Sequence, residues 1–344
     1  MRKAFQDQLL VTDHLEVDCT IEFIDLYHRD RPAFKAACDL MWNDKDRELA
    51  KNGLFKAEHV CEVVQKSRGQ EDWSHKPQIV LMALQRLTDW GLVGDIRQLF
   101  GGQNQLEFRL FDEVGRSFWS KSFAEDIIRG PLFFMNKYKR SLPAIIVLTT
   151  DGDESVATGF LTYVEKGNVQ HPVLITNKHV TQKGMIREVR RIEADGCAYS
   201  WSEIIESDVF DLTAIKVAPP DGAPGFEPFP ASVLEDVITL GYPKVAISAA
   251  PTLLAHKGEV NGTITSREDH NNYLAISCAV APGNSGGPAL NEGARVVGVV
   301  SMSSIGRYLS GSGSETVTEV GVHHLAVPAS DLKRFLNEEV WPKL

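Results

Sequence analysis

The segment Ala281-Pro282-Gly283-Asn284-Ser285-Gly286-Gly287-Pro288-Ala289-Leu290 is the most informative stretch of this sequence. A serine hydroxyl is a weak nucleophile unless a base takes its proton and N–H donors stabilise the oxyanion that develops. Glycines beside the serine let the backbone turn tightly and leave the N–H groups accessible. The segment therefore predicts Ser285 as a nucleophile, with the N–H groups of Gly283 and Ser285 as an oxyanion hole. The alternative is an ordinary glycine-rich turn between strands.

Two upstream segments supply the other groups that such a serine requires. His179 follows the apolar run 173–176, and Asp211 begins the apolar run 211–217. Taken singly, such a histidine is more often structural, and such an aspartate is more often a turn or capping residue. A catalytic triad of serine, histidine and aspartate occurs in several unrelated folds, each with its own chain order. The order here is His, Asp, Ser, which excludes the folds that use another order. The sequence predicts His179 as general base and Asp211 as the residue that orients it, with Asp208 as the second candidate for the acid.

Together these segments resemble the trypsin-like peptidases of the chymotrypsin fold, and most of all the bacterial HtrA/Deg branch. Ala157-Thr158-Gly159-Phe160 resembles the Gly-(Ser/Thr)-Gly-Phe strand before the histidine, with Ala157 in place of the first glycine. Leu240-Gly241-Tyr242-Pro243 and the segments 296–301 and 324–328 resemble later parts of the same domain. The resemblance covers about residues 140–340. It implies a serine endopeptidase that cleaves protein or peptide substrates through an acyl-enzyme, with no cofactor and no metal.

The resemblance also implies where substrate binds. Ala279, Ser301, Met302 and Ser303 would line the groove, and Ala279 replaces the aspartate that selects Lys or Arg. Ser303 replaces a common glycine and would narrow the pocket. These residues predict a preference for small or medium apolar side chains at the cleaved position.

One residue near the predicted site departs from the family pattern, and three others are predicted to have no catalytic role. Lys178 precedes the histidine where a small residue is commoner, and its side chain is expected to face solvent. Cys278 is expected to be buried and non-catalytic, and packing is the favoured role of His323 and His324. No PDZ-type domain is recognised after the peptidase region.

From about residue 140 the sequence consists of short apolar or alternating runs separated by turn residues. This pattern predicts an all-β barrel or sandwich. The resemblance implies the all-β double β-barrel of the trypsin-like type. The segment 310–314, Ser-Gly-Ser-Gly-Ser, predicts a mobile loop, and Ser330 is the expected N-cap of a terminal helix. The predicted strands are 144–150, 157–163, 172–177, 211–217, 237–242, 274–280, 295–302 and 317–327.

The first 130 residues show mostly helical patterns. Helices are predicted around 34–42, around 60–64 and over 79–90, the last closed by Gly91. A β-hairpin is predicted to follow, with a glycine-rich turn at 101–104. This order, over about residues 55–120, resembles a winged-helix domain; a small α+β packing or dimerisation module is the alternative. The predicted domains are 1–130, regulatory or interacting, and 131–344, the peptidase.

Composition narrows the classes of partner. The chain of 344 residues carries 36 basic and 46 acidic side chains, a formal net charge of −10, which argues against nonspecific nucleic-acid binding. The predicted third helix offers only Lys76 and Arg86 as cations. No apolar run approaches the roughly 20 residues of a membrane span, and the N-terminal apolar stretch is too short for a signal peptide. The 5 unpatterned cysteines predict buried thiols in a reducing cytoplasm rather than a zinc or disulfide site.

Three alternatives stay open. The protein could be a catalytically silent, peptidase-like interaction protein, or a winged-helix regulator that binds nucleic acid. It could also be a peptidase of a bacterial stress or defence system whose first domain senses a regulatory protein partner. A homo-oligomer is compatible with each of these.

Overall fold

A computed structural model of the protein describes residues 15–41, 44–69, 76–96, 108–111, 120–182, 184, 186–267, 269–308 and 318–344. The chain forms two compact units, Met1–Phe134 and Met135–Leu344.

The first unit is mainly helical and includes a small antiparallel sheet. Strand β3 lies at the centre of this sheet, with β1 on one side and β2 on the other. In chain order the elements are α1 Leu15–Arg29, α2 Arg31–Asp39, α3 Asp44–Lys51, β1 Leu54–Phe55, α4 Ala57–Ser67, α5 Pro77–Asp89, β2 Val93–Asp95, β3 Phe108–Leu110, α6 Lys121–Arg129 and α7 Pro131–Tyr138.

The core of the first unit is built from apolar residues at helical spacing. Helix α1 was not predicted, although Val17, Ile21 and Ile24 follow the spacing of one helix face and are buried. The predicted helix around 34–42 ends at Asp39, and a separate helix α3 follows. Trp42, at the end of the predicted range, lies outside the described residues.

The other predictions for this unit are mostly confirmed. Helix α4 includes the predicted 60–64 segment, and α5 is followed by Gly91, which has a φ of +69°. Strands β2 and β3 pair antiparallel, with Val93 opposite Leu110. The predicted turn at 101–104 lies outside the described residues.

The second unit is built of strands. They form three sheets: β10-β11-β7-β6, β5-β4-β8-β9, and the closed barrel β12-β13-β14-β17-β16-β15. The strands are β4 Ala144–Thr149, β5 Glu154–Thr158, β6 Phe160–Lys166, β7 Val169–Thr176, β8 Ile186–Ala194, β9 Cys197–Ala198, β10 Ser200–Glu206, β11 Thr213–Ala218, β12 Asp236–Gly241, β13 Leu254–Thr265, β14 Asn272–Ile276, β15 Pro288–Leu290, β16 Val296–Tyr308 and β17 Thr318–Pro328. A short helix α8 Lys178–Thr181 follows β7, and α9 Ala329–Phe335 follows β17.

The closed six-stranded sheet confirms a β-barrel in this unit. The eight strands of the other half, predicted as a second barrel, form two four-stranded sheets with no strand pairing between them among the described residues. A hydrogen bond links the two sheets, from the hydroxyl of Thr176 in β7 to the carbonyl oxygen of Thr158 in β5 at 2.8 Å. Side chains of both sheets, including Ile145, Leu161, Leu174 and Ile215, nevertheless pack into one apolar core. Burial of a common core, rather than a continuous hydrogen-bond ladder, unites this half.

Boundaries differ from the predictions where strands lack a clean alternating pattern. Strands β8, β10 and β13 were not predicted, because charged and polar residues interrupt their apolar positions. The predicted strand 157–163 is broken at Gly159 into β5 and β6. Pro328, not Ser330, occupies the N-cap position of α9, so that prediction was wrong. The predicted mobile loop at 310–314 lies outside the described residues.

The cysteines are free thiols. Cys19, Cys38, Cys61 and Cys278 are buried, whereas Cys197 is half-buried, which corrects the expectation that all five are buried. No helix in the described ranges is both long and apolar enough to cross a membrane.

Candidate active site

Antiparallel pairing of β7 with β11 brings the predicted base and acid together. Thr176 at the end of β7 lies opposite Thr213 at the start of β11. The chain that leaves β7 therefore passes beside the chain that enters β11. The Asn177 side chain fixes this approach by donating its Nδ2–H to the carbonyl oxygen of Asp211 at 3.0 Å.

His179 and Asp211 are in direct contact. Nδ1 of His179 lies 2.9 Å from Oδ2 and 3.1 Å from Oδ1 of Asp211. The backbone N–H of His179 also donates to Oδ1, at 3.1 Å. A carboxylate held in this way fixes the ring and the Nδ1–H tautomer, which leaves Nε2 to accept a proton. Asp208, the second candidate for the acid, is exposed, and its backbone N–H donates to Glu339 at 3.0 Å.

A third donor reaches the Asp211 carboxylate from β16. The hydroxyl of Ser301 donates to Oδ2 at 2.6 Å. Burial raises the pKa of Asp211, but the hydrogen bonds from His179 and Ser301, and the attraction of the carboxylate to His179 when that ring is protonated, hold the pKa below the ordinary aspartate value. The sequence assigned Ser301 only to substrate binding. Its contact with the acid needed the register between distant strands, which no sequence pattern displays.

The loop that carries Asp211 is fastened on two sides. Lys178 donates its Nζ–H to the carbonyl oxygen of Ser207 at 2.6 Å. This corrects the expectation that Lys178 faces solvent. On the other side the Ser207 hydroxyl donates to Glu339, in the C-terminal segment, at 2.7 Å. The cation beside His179 thus braces the loop that positions the acid.

Ser285 lies in a loop between β14 and β15 that is tied to β16. The N–H of Gly286 donates to the carbonyl oxygen of Val300 at 2.8 Å, and the Ser285 hydroxyl donates to the carbonyl oxygen of Ser301 at 3.2 Å. Among the described residues this is the hydroxyl's hydrogen-bond partner, and it makes no such bond to His179. The structure therefore joins His179 to Asp211 directly and Ser285 to Asp211 through Ser301. Catalytic hydrogen bonds are often unformed before substrate binds.

The backbone around Ser285 presents two unpaired donors. Within the described part of the chain, the N–H groups of Gly283 and Ser285 have no hydrogen-bond acceptor. Gly283 has a φ of +105°, and a Cβ at this position would lie 2.2 Å from the carbonyl oxygen of Tyr242. Only glycine fits there, so the residue type maintains the turn that exposes these N–H groups.

Thr158, at the end of β5, organises this loop. Its hydroxyl donates to the carbonyl oxygen of Gly283 at 2.7 Å and accepts from the N–H of Tyr242 at 2.9 Å. Its N–H donates to the carbonyl oxygen of Ser285 at 2.9 Å. The side chain is completely buried. The sequence placed Thr158 in the strand that resembles the one before the histidine in trypsin-like peptidases, but it did not predict this role. The role depends on contacts with residues more than a hundred positions away in the chain.

The remaining predicted residues have the following positions. Ala279 is exposed. Met302 and Ser303 belong to β16, but their side chains are outside those described. Cys278 is buried, and burial raises the pKa of its thiol, which keeps the sulfur protonated and weakly nucleophilic. His324 is half-buried.

The family comparison matches the strand-rich unit. Residues 157–299 match the model of the trypsin-like peptidase domain. The chain therefore contains a trypsin-like peptidase domain and is a serine peptidase.

Among solved structures, the chain is similar to the Rv3671c protease of M. tuberculosis. The active form is 19% identical over 60% of this chain and 83% of that chain, with a TM-score of 0.44. An inactive form is 19% identical over 60% of this chain and 91% of that chain, with a TM-score of 0.41. Similarity at this level assigns no role to any residue. No curated protein matches the chain significantly.

Replacing Thr158 should reduce turnover through the nucleophile loop. We expect Thr158→Val to lower kcat/KM about 10- to 100-fold and the free energy of unfolding by about 1–3 kcal/mol, because two buried groups lose their hydroxyl partner. Thr158→Ser keeps the hydroxyl and should restore most of the activity. The matched control is Thr162→Val, since Thr162 donates to the carbonyl oxygen of Phe226 at 2.8 Å, away from the loop. Equal loss of activity in both valine variants would contradict this role.

Adding a methyl group at Gly283 should disrupt the oxyanion hole. Gly283→Ala forces the Tyr242 carbonyl oxygen and the turn apart, so we expect kcat to fall about 100- to 1,000-fold. Gly152→Ala is the control, because Gly152 has a φ of +94° and nothing lies within 4 Å of an added Cβ. Peptide hydrolysis by both variants, alongside thermal unfolding, separates backbone strain from loss of the donors.

Acidification should remove the stability that ionised Asp211 provides. Because its pKa in the folded state lies below the ordinary value, the contribution is complete above the unfolded pKa and is lost as the pH falls through the folded pKa. The difference in free energy of unfolding between wild type and Asp211→Asn should therefore shrink as the pH falls below about 4. Urea denaturation at pH 6 and pH 3 measures it. A difference that stays constant or widens would be inconsistent with a depressed pKa.

Proposed function

We propose that this protein is a serine endopeptidase whose catalytic groups are Ser285, His179 and Asp211. The observation that carries the proposal is the 2.9 Å contact between His179 Nδ1 and Asp211 Oδ2, beside a serine flanked by unpaired N–H donors. Such an arrangement has the three parts that acyl transfer requires: a nucleophile, an oriented base and an oxyanion site.

The reaction follows from these groups. The Ser285 hydroxyl leaves the Ser301 carbonyl, gives its proton to Nε2 of His179 and attacks the peptide carbonyl carbon. The oxyanion accepts hydrogen bonds from the N–H groups of Gly283 and Ser285. The imidazolium then protonates the leaving amine, and water, activated by the same imidazole, releases the acyl group from Ser285. Asp211 stays ionised throughout and stabilises the imidazolium.

Exchanging the Ser301 carbonyl for Nε2 of His179 as the acceptor of the Ser285 hydroxyl costs little free energy. Its bond to the Ser301 carbonyl is neutral and 3.2 Å long, and a neutral intramolecular hydrogen bond contributes only about 1 kcal/mol net. Substrate that pairs with β16 would compete for the same carbonyl region. The resting contact with Ser301 is therefore compatible with catalysis.

We propose a preference for small or medium apolar side chains at the cleaved position. Exposed Ala279 places no charge in the predicted groove to attract Lys or Arg. A peptide library dominated by Arg, Lys or Glu at that position would exclude this preference.

We also propose that the two units are separate domains and that the first is a winged-helix-like regulatory or interaction module. The support is its element order: helices α4 and α5 lie between β1 and a β2–β3 pair, with β3 central in the sheet. The expected third helix is poorly suited to DNA. Arg86 donates to the carbonyl oxygen of Ile127 at 3.5 Å, and the chain is acidic. A regulatory protein partner is therefore favoured over nucleic acid.

Substitution of the three catalytic residues tests the proposed function. We expect Ser285→Ala and His179→Ala to lower kcat on the order of a millionfold, and Asp211→Asn about ten-thousandfold. Peptide hydrolysis by purified protein gives the rates. His256→Ala is the matched control, since His256 lies on β13 and has no proposed role. Activity near that of the wild type in any of the three variants would remove that residue from its role.

A fluorophosphonate probe separates the peptidase from a silent interaction protein. Intact-mass measurement should show one adduct on the wild type and none on Ser285→Ala, because only an activated serine hydroxyl attacks the probe at an appreciable rate. Equal labelling of both proteins would place the reactive group elsewhere.

A further inference from the structure

A cavity of about 260 Å³ adjoins the nucleophile loop. Pro282 and Gly283 line one part of it, residues 154–156 of strand β5 line another, and residues 242–245 and 248–251 line the rest. The cavity thus shares Gly283 with the proposed oxyanion hole. None of the predicted substrate-binding residues lines it.

The hydrogen bonds around Ser285 show which part of a substrate this cavity faces. The carbonyl oxygen of Ser285 accepts the N–H of Thr158, from β5, whereas its hydroxyl and the N–H of Gly286 bond to Ser301 and Val300, from β16. Strands β5 and β16 thus approach the nucleophile from different sides. A substrate that pairs with β16 up to the cleaved bond continues past Ser285 towards β5 and the cavity.

Strand β5 can guide an extended chain there. Among the described strands it pairs only with β4, so it is an edge of its sheet. Thr158 at its end is already bonded to Ser285 and Thr176, and the outward N–H and C=O groups of residues 154–157 remain to bind a chain. Edge strands commonly bind extended peptides by adding a strand.

The wall opposite β5 is apolar and well held. Lys244 donates its backbone N–H to the carbonyl oxygen of Pro282 at 2.8 Å, and Ser248 closes the turn with a bond from its N–H to Val245 at 2.9 Å. This ordered turn nevertheless presents exposed apolar side chains to the cavity, namely those of Ala249, Ala250 and Pro251. Exposed apolar groups beside a cavity indicate a binding surface. The volume suffices for a large side chain, since an apolar cavity of roughly 150 Å³ holds benzene.

The mouth of the cavity carries one unmatched positive charge. Glu154 is paired with Arg190, whose Nη1 lies 2.9 Å away. Lys244 is exposed, and its ammonium group contacts no carboxylate in the described part of the chain. An acidic group on a bound peptide would therefore be attracted here.

We propose that this cavity binds an apolar side chain from the part of the substrate that follows the cleaved bond, and that Lys244 selects an acidic residue next to it. The proposal rests on the peptidase function proposed above. The segment it concerns leaves with the amine when the acyl-enzyme forms. The cavity therefore acts on acylation and has no effect on release of the acyl group.

Internally quenched peptides varied after the cleaved bond test this specificity. We expect an aliphatic or aromatic residue to raise kcat/KM about tenfold over glycine at one of these positions, and an acidic neighbour to raise it about threefold over lysine. Lys244→Glu should reverse the charge preference. Lys333→Glu, an equal charge change at an exposed residue of α9, should leave it as in the wild type.

A second variant tests the cavity itself. Ala250→Trp places an indole in the space, so the apolar preference should disappear. The ratio of kcat/KM on the best peptide to kcat/KM on a short acyl ester, which lacks a leaving peptide, should fall about tenfold.

The outcomes separate the two proposals. In one outcome the probe labels Ser285 and the ester is hydrolysed, but kcat/KM does not vary among the peptides, or varies in the same way in wild type, Lys244→Glu and Ala250→Trp. The cavity proposal is then wrong and the peptidase proposal stands. If Ser285 is not labelled and neither ester nor peptide is cleaved, both proposals are wrong.

Discussion

The buried hydrogen bonds of Thr158 hold the nucleophile loop to the first half of the strand-rich unit. Thr158 ends strand β5 of one sheet, whereas Ser285 lies in the loop between β14 and β15 of the closed barrel. One residue joins them by a backbone bond to Ser285 and a side-chain bond to Gly283. A buried polar residue gains stability only when its partners are in place. Correct packing of the two halves therefore also sets the shape of the proposed oxyanion hole.

The proposed acid–base pair depends on a second constraint of the same kind. Pairing of β7 with β11 brings His179 to Asp211, and β16 then contributes Ser301 to the same carboxylate. Three strands from two sheets thus fix one carboxylate. Each bond lowers the freedom of the histidine ring, and together they hold Asp211 ionised at neutral pH. Strand pairing thus positions the residues, and the hydrogen bonds that result keep the carboxylate charged.

Braces around the site come from residues that take no part in chemistry. Lys178 and Glu339 hold the loop before Asp211 from opposite sides, through the carbonyl and the hydroxyl of Ser207. Glu339 lies in the C-terminal segment after the barrel. Packing of this C-terminal segment therefore helps to hold the loop that carries Asp211, the proposed acid.

The residue types of the site and many of the strands could be predicted from local sequence patterns. These are local patterns: a glycine at 283, a serine followed by two glycines, a histidine after one apolar run and an aspartate at the start of another. They can be recognised in the sequence because the chemistry and the backbone geometry act within a few residues. Only the folded structure shows that the first half of the strand-rich unit consists of two sheets over one core. The same is true of three hydrogen bonds: from Ser301 to Asp211, from Thr158 to the loop of Ser285, and from Lys178 to the carbonyl oxygen of Ser207. Those facts depend on strand register and on contacts between residues far apart in the chain. Local periodicity carries no information about either, since the same alternating run is compatible with many partners.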